Sequence, residues 1–275
     1  MRNRFAQVDV FGSGPCSGNP VAVVLDAEGL GEEEMQRFAR WTNLAETTFV
    51  LSPTRAGADY RVRIFTPVLE LPFAGHPTLG TCHAWLEAGG EAGGEEIVQE
   101  CEAGLVRIRR DEDRLAFAAP PLVRSGPASE EDRAKVAAAL DLEPAEMIAV
   151  EWVDNGPGWI AVLLESAERL LELRPGPLEF DLGAVGFHPA GSEAAIELRA
   201  WAPVNGQAIE DPVTGSLNAS VAQWLLADGR LEAPYVASQG TAIDRAGRIH
   251  VTEADGEIWV GGRAETVVAG TAKPQ

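Results

Sequence analysis

The sequence predicts an α+β fold built from two duplicated halves. Segments that read as strands and helices are interspersed without regular βαβ alternation, which disfavours a doubly wound parallel sheet. Residues 65–86 and 201–225 also share an ordered series of motifs. The first runs Phe65-Thr66-Pro67, then His76-Pro77-Thr78-Leu79-Gly80-Thr81 and a helix carrying Trp85-Leu86. The second runs Trp201-Ala202-Pro203, then Asp211-Pro212-Val213-Thr214-Gly215-Ser216 and a helix carrying Trp224-Leu225. Setting His76 against Asp211 also pairs Pro77 with Pro212, Gly80 with Gly215 and Thr81 with Ser216. The two tryptophans then differ in offset by about one helical turn, so both rings are expected to face the core from the same side. Gly18-Asn19-Pro20-Val21-Ala22-Val23 and Asn155-Gly156-Pro157-Gly158-Trp159-Ile160 form an upstream echo.

Strands are expected over 5–11 and 21–25, bracketing the Gly/Pro/Ser loop from Gly12 to Pro20. Glu32, Glu33 and Glu34 followed by Met35, Phe38 and Trp41 predict an amphipathic helix over 31–41, its acidic turn matched to the helix dipole. Strands follow at 47–51, 60–65, 97–101, 104–110 and 114–118. Between them Gly75-His76-Pro77 places proline at the first position of a helix running to Leu86, stopped by Gly89-Gly90. Further helices are expected at Glu130–Leu140 and Pro212–Leu226. Strands are expected at 147–153, 159–164, 178–181, 196–201, 235–239, 248–252, 257–261 and 264–269. The halves are drawn at 1–121 and 122–262, with 263–275 as a strand and tail returning to the first.

With 22 basic against 42 acidic residues, the net charge of −20 argues against nucleic acid and acidic membranes as partners. Only two basic residues are lysines, Lys135 and Lys273, so Schiff-base chemistry and pyridoxal phosphate find almost no nucleophile. Cys16, Cys82 and Cys101 form neither a CxxC pair nor a zinc-like cluster, and His76 with His83 lacks the carboxylate of a zincin set; no metal is expected. No GxGxxG or GxxxxGK[ST] pattern occurs. Sparse cysteines and an N-terminus without an apolar leader lead to the expectation of a soluble cytoplasmic protein.

Each half brings one helix N-terminus, and two such ends make a site for a small carboxylate in a cleft between duplicated halves. Asp211 before Pro212 reads as an N-cap, a role compatible with a place in the site. Ser216 reads as a first-turn residue contacting an anion. Glu46 ends the turn Asn43-Leu44-Ala45-Glu46 before apolar Phe49-Val50-Leu51. It is either a solvated turn glutamate or a carboxylate drawn toward the core, with a pKa raised into the acid/base range. His76 is either a satisfied loop histidine or a proton shuttle and substrate donor.

Asp9-Val10-Phe11, Gly18-Asn19-Pro20-Val21-Ala22-Val23-Val24, Asn43-Leu44-Ala45-Glu46-Thr47, Glu70-Leu71-Pro72-Phe73-Ala74-Gly75-His76-Pro77-Thr78-Leu79-Gly80 and Glu210-Asp211-Pro212-Val213-Thr214-Gly215-Ser216 together resemble the phenazine-biosynthesis PhzF-like isomerase family. A weaker match continues at Gln239-Gly240 and Arg245. The resemblance implies the diaminopimelate-epimerase-like fold: two pseudo-symmetric halves, each a mostly antiparallel or mixed sheet around a central helix, with the active site between them.

It further implies a cofactor-free isomerase and a homodimer. Glu46 would move a proton between carbons of a small acidic substrate that His76 and Asp211 hold, with Gly18, Asn19, Gly75, Gly215 and Ser216 as substrate-binding positions. The second half has no cysteine, which excludes the two-cysteine racemase variant of the fold. Ala45, Cys16 and Gly247 depart from the family's usual serine, phenylalanine and serine. A non-catalytic small-acid binding or interaction protein is the alternative reading.

Overall fold

The computed structural model describes residues 2–275. The chain forms two compact units, one of residues up to Ala118 together with Gly261–Gln275, the other of Ala119–Val260.

In the first unit, β1 (Asn3–Val10) pairs antiparallel with β2 (Asn19–Val24), and β2 runs parallel to β3 (Glu46–Leu51). The parallel crossover is helix α1 (Glu32–Thr42). β3 pairs antiparallel with β4 (Tyr60–Phe65), which pairs antiparallel with the short β5 (Glu70–Leu71) and parallel with β6 (Ile97–Cys101). The second crossover is α2 (Gly75–Glu87). β7 (Gly104–Asp111) and β8 (Arg114–Ala118) follow antiparallel, and β18 (Ala264–Ala272) returns to pair with β1.

The second unit repeats this order. β10 (Ala149–Asp154) pairs antiparallel with β11 (Ile160–Leu164), which is parallel to β12 (Leu182–Phe187) through α4 (Ala167–Glu172). β13 (Ile196–Val204) is antiparallel to β12 and β14 (Gln207–Asp211), and parallel to β15 (Tyr235–Gln239) through α5 (Gly215–Ala227). β16 (Gly247–Ala254) pairs with β15, and β17 (Glu257–Gly262) follows. β9 (Arg124–Pro127), paired with β10, and α3 (Glu130–Leu140) precede this series. The α+β class and the duplication expected from the sequence are both present.

Each helix takes its place for a local reason. α1 is amphipathic: Gly31 N–H donates to Glu34 Oε2 at 2.8 Å at its start. Met35, Phe38 and Ala39 pack on Val24, Phe49, Leu51 and Phe65. Phe49 stands edge-on to Phe38 and Phe65, and its full burial contributes about 2–3 kcal/mol. α2 and α5 are buried nearly all round, as central helices must be, and α2 contacts β1, β2, β3, β8 and β18. Gly80 lets α2 close onto β1 and β2, because a Cβ there would sit 2.3 Å from Val21 Cγ1. In the second unit Val136, Leu140, Leu170, Ile160, Val162, Leu182 and Trp201 share one core.

An electrostatic device recurs in both units. Arg63 on β4 forks onto Glu70 of β5 at 2.7 and 2.6 Å and lies over the Phe65 ring. Arg199 on β13 forks onto Glu210 of β14 at 2.9 and 2.6 Å and lies over Trp201. The second pair is the more deeply buried, with side chains 4% and 10% exposed against 26% and 24%.

Several expectations are corrected. α2 begins at Gly75, so Pro77 is its third residue; its missing N–H is harmless there because first-turn amides have no intrahelical acceptor. α5 begins at Gly215, not Pro212; Pro212 forms a bend after β14, and residues 213–214 lead irregularly into the helix. Both helices are 13 residues long and end on the same pattern: Ala88 N–H to Ala84 O, and Asp228 N–H to Trp224 O. Gly75 therefore corresponds to Gly215 and His76 to Ser216, which replaces the alignment of His76 with Asp211. Trp85 and Trp224 fall at adjacent helical positions rather than on one face: Trp85 stacks on Tyr60, and Trp224 donates to Asp228 Oδ2. Residues 178–181 are not a strand; β12 starts at Leu182. Among the described residues, no helix is long and apolar enough to cross a membrane.

Candidate active site

In the first unit, α1 ends at Asn43 in the left-handed conformation, φ 54°, which asparagine tolerates better than most residues. The chain turns through Leu44 and Ala45 and enters β3 at Glu46, opposite Val21 of β2. Strand alternation puts Glu46 on the same face as Thr48, whose hydroxyl accepts a hydrogen bond from Thr81 of α2 at 2.8 Å. Glu46 is thereby aimed at the central helix. There it meets His76, the second residue of α2: Nε2 and Oε2 lie 3.2 Å apart, off the line of a straight hydrogen bond. The side chains are only 5% and 15% exposed.

On its other side the ring faces Asn19, whose Nδ2 lies 3.3 Å from His76 Nδ1. The ring also hydrogen-bonds the Pro20 backbone, and which ring nitrogen carries the proton depends on whether Nδ1 accepts from the Asn19 amide or donates to that carbonyl. Burial pushes the His76 pKa down to about 3, with the Pro20 backbone weakly opposing the shift, so the imidazole is neutral at pH 7.

A stability consequence follows. Below the ordinary value of about 6.5, the unfolded chain takes up a proton that the folded ring refuses, so stability falls as pH drops from 6.5 toward 3. Between pH 7 and 5, urea unfolding should show wild type losing about 2 kcal/mol more than His76→Gln. Equal losses would mean that His76 is protonated in the native state.

The loop before Asn19 is fixed by Asp9, a buried carboxylate that accepts from Ser17 N–H at 3.0 Å and Gly18 N–H at 3.1 and 3.0 Å. Gly18 has no room for a side chain, since a Cβ would sit 2.1 Å from Val10 O and 2.6 Å from Gly12 N. Gly18, Asn19, Glu46, Gly75 and His76 are thus gathered in one unit. Asp9 acts behind them through backbone amides, and only its place in the opening motif signalled it.

The second unit gathers Asp211, Gly215 and Ser216. Asp211 is the last residue of β14, opposite Ala200, and is not the N-cap expected from the sequence. Thr214 precedes the helix, and its hydroxyl does not cap either; it donates to Asp211 Oδ2 at 2.5 Å. Gly215 and Ser216 open α5. Ser216 Oγ accepts from Trp159 Nε1 at 3.2 Å and Ser216 O from Asn155 Nδ2 at 2.9 Å.

Gly247, the first residue of β16, faces Val213: a Cβ would lie 2.6 Å from Val213 Cγ2 and 2.8 Å from Gln239 O. Cys16 is exposed. His83 pairs with Glu87 at 3.3 Å and Thr266 at 3.2 Å. Among the described residues no three His, Cys, Asp or Glu side chains group as metal ligands would.

The profile of phenazine biosynthesis-like proteins matches residues 8–272. The chain belongs to this PhzC/PhzF family. It is 35% identical over 289 residues to antisense-enhancing sequence 1 of Schizosaccharomyces pombe, covering 97% of each chain. It is 36% identical over 258 residues to trans-2,3-dihydro-3-hydroxyanthranilate isomerase of Pseudomonas aeruginosa, covering 90% of this chain and 89% of that protein. The crystal structure of a PhzF-family protein of Bacillus anthracis superposes with a TM-score of 0.83 at 23% identity, covering 99% of both chains. This PhzF-like chain is an isomerase with the diaminopimelate-epimerase-like fold.

Proposed function

We propose that the protein moves a proton between carbons of a small carboxylate-bearing metabolite without a cofactor, Glu46 serving as the base that takes the proton and the acid that returns it. The observation that supports this most directly is the Glu46 carboxylate held 3.2 Å from a buried, neutral imidazole at the head of α2. A base must sit beside the carbon acid, and the charge that develops must meet donors already in place. A neutral imidazole can donate an N–H to a carboxyl or conjugated oxygen without releasing its own proton. The α2 amides around Gly75 add the positive end of a helix dipole. Asp211, with Gly215 and Ser216, is assigned to holding the same substrate, as the family resemblance implies.

A relative is named for isomerising trans-2,3-dihydro-3-hydroxyanthranilate, a cyclic amino acid, and compounds of that kind head the candidate pool. The test is incubation with pooled small carboxylic acids, including that compound, in deuterated water, read by mass spectrometry. Deuterium should enter a carbon position of one acid with wild type. Binding of an acid without label entering it would instead support a non-catalytic small-acid binding protein.

A further inference from the structure

We propose that Gln239 is a positioning residue for Asp211, acting through the hydroxyl of Thr214; this rests on the reading of Asp211 as a substrate-holding group. Gln239 ends β15 and is fully buried. Its Nε2 donates to Asp211 O at 3.1 Å and to Thr214 Oγ1 at 3.0 Å. Its Oε1 accepts from Thr214 N–H at 3.0 Å and from Asn218 Nδ2 at 2.9 Å. A primary amide has two N–H donors and two lone pairs, and all four are engaged here.

The direction of these bonds decides what Thr214 can do. A hydroxyl carries a single proton. Because Gln239 Nε2 donates to Thr214 Oγ1, the threonine proton is left to point at Asp211 Oδ2, at the 2.5 Å expected of a hydroxyl donating to a carboxylate. The donor chain runs from Gln239 to Thr214 to Asp211. It fixes one carboxylate oxygen and aims the Asp211 side chain, while the bond to Asp211 O fixes its backbone.

The neighbouring geometry tightens this grip. Gly240 turns at φ 91°, and a Cβ there would lie 2.7 Å from Pro212 O. The segment from Asp211 to Thr214 is therefore held from the β15 end as well as by its own strand. In the first unit Gln99 makes a different set of bonds: its amide bonds Thr78 Oγ1 at 2.9 Å and the Tyr60 hydroxyl at 3.0 Å.

The experiment is a carboxyl ¹³C NMR titration of Asp211 in the full chain, in wild type, Gln239→Met, Thr214→Val and the double variant. Loss of the Thr214 donor should raise the Asp211 midpoint by about one unit in Thr214→Val. Gln239→Met should raise it comparably, and the double variant should add little more, because both lie on one chain of donors. A Gln239→Met protein that unfolds cooperatively but titrates like wild type at Asp211 overturns the proposal. Should Gln239→Met fail to fold, an unchanged Asp211 midpoint in Thr214→Val overturns it equally. The titration is read on resting protein. If no acid in the deuterium pool is labelled, the proposed proton transfer by Glu46 fails while this assignment is still decided.

Discussion

Glu46→Gln is expected to slow entry of solvent deuterium into the substrate carbon by about 10²–10⁴-fold, the usual contribution of a positioned acid/base group. Glutamine keeps the size of the side chain and its place opposite Val21 at the start of β3. It can no longer accept a proton from carbon. The His76 ring is already neutral, so removing the adjacent carboxylate strands no imidazolium. Circular dichroism and the urea midpoint should therefore stay close to wild type while exchange collapses. Exchange rates are measured by mass spectrometry under single-turnover conditions, so that slow product release does not mask the chemical step. A variant that retains wild-type exchange would remove Glu46 from the proton path.

Glu210→Ala is expected to destabilise the protein by about 3–5 kcal/mol, because it leaves the Arg199 guanidinium buried without its carboxylate. That guanidinium also donates to Leu170 O at 3.1 Å and Leu173 O at 2.9 Å at the end of α4, so it cannot swing out to water without giving up those bonds. Glu70→Ala in the first unit is the internal control. Arg63 is 26% exposed and keeps Glu32 within 3.0 Å, so the same truncation there should cost about 1 kcal/mol. Urea unfolding of the two variants checks the contrast, and similar losses would mean that burial does not set the cost. Replacing Arg199 and Glu210 together by methionines should restore most of the stability, since both charges then leave the core.

Much of this fold was legible in the sequence where short-range chemistry dictates structure. The three glutamates ahead of Met35 and Phe38 mark α1, and the alternation of Tyr60, Val62 and Ile64 marks β4. The duplication was legible too, but its register was not. Proline at the head of a helix is a familiar signal, and it misplaced both helix starts: Pro77 lies inside the first turn and Pro212 lies at a bend before the helix. The true correspondence, Gly75 with Gly215, sets Glu70 against Glu210 and Pro72 against Pro212, so the proline that matches Pro212 is not the one inside α2.

The site shows the same division. Glu46 and His76 could each be singled out as residues of the right chemistry. Their approach to 3.2 Å depends on β3 packing against α2 across 30 positions of chain, which no local pattern encodes. Gln239 is harder still to foresee, for it reaches Asp211 only because β13 and β15 lie side by side in parallel. Asp9 has a similar character: it works on the site through the backbone amides of Ser17 and Gly18 rather than through its own reach.

The pairing of β1 with β18 bears on how the protein is made. The second unit is one continuous stretch, Ala119–Val260, whereas the first needs strand residues from both ends of the chain. During synthesis the ribosome releases every residue of the second unit before it releases β18. β1 must wait, with one edge open, for β18. The intervening half can mature in that interval, so the half carrying Glu46 and His76 is the last to close.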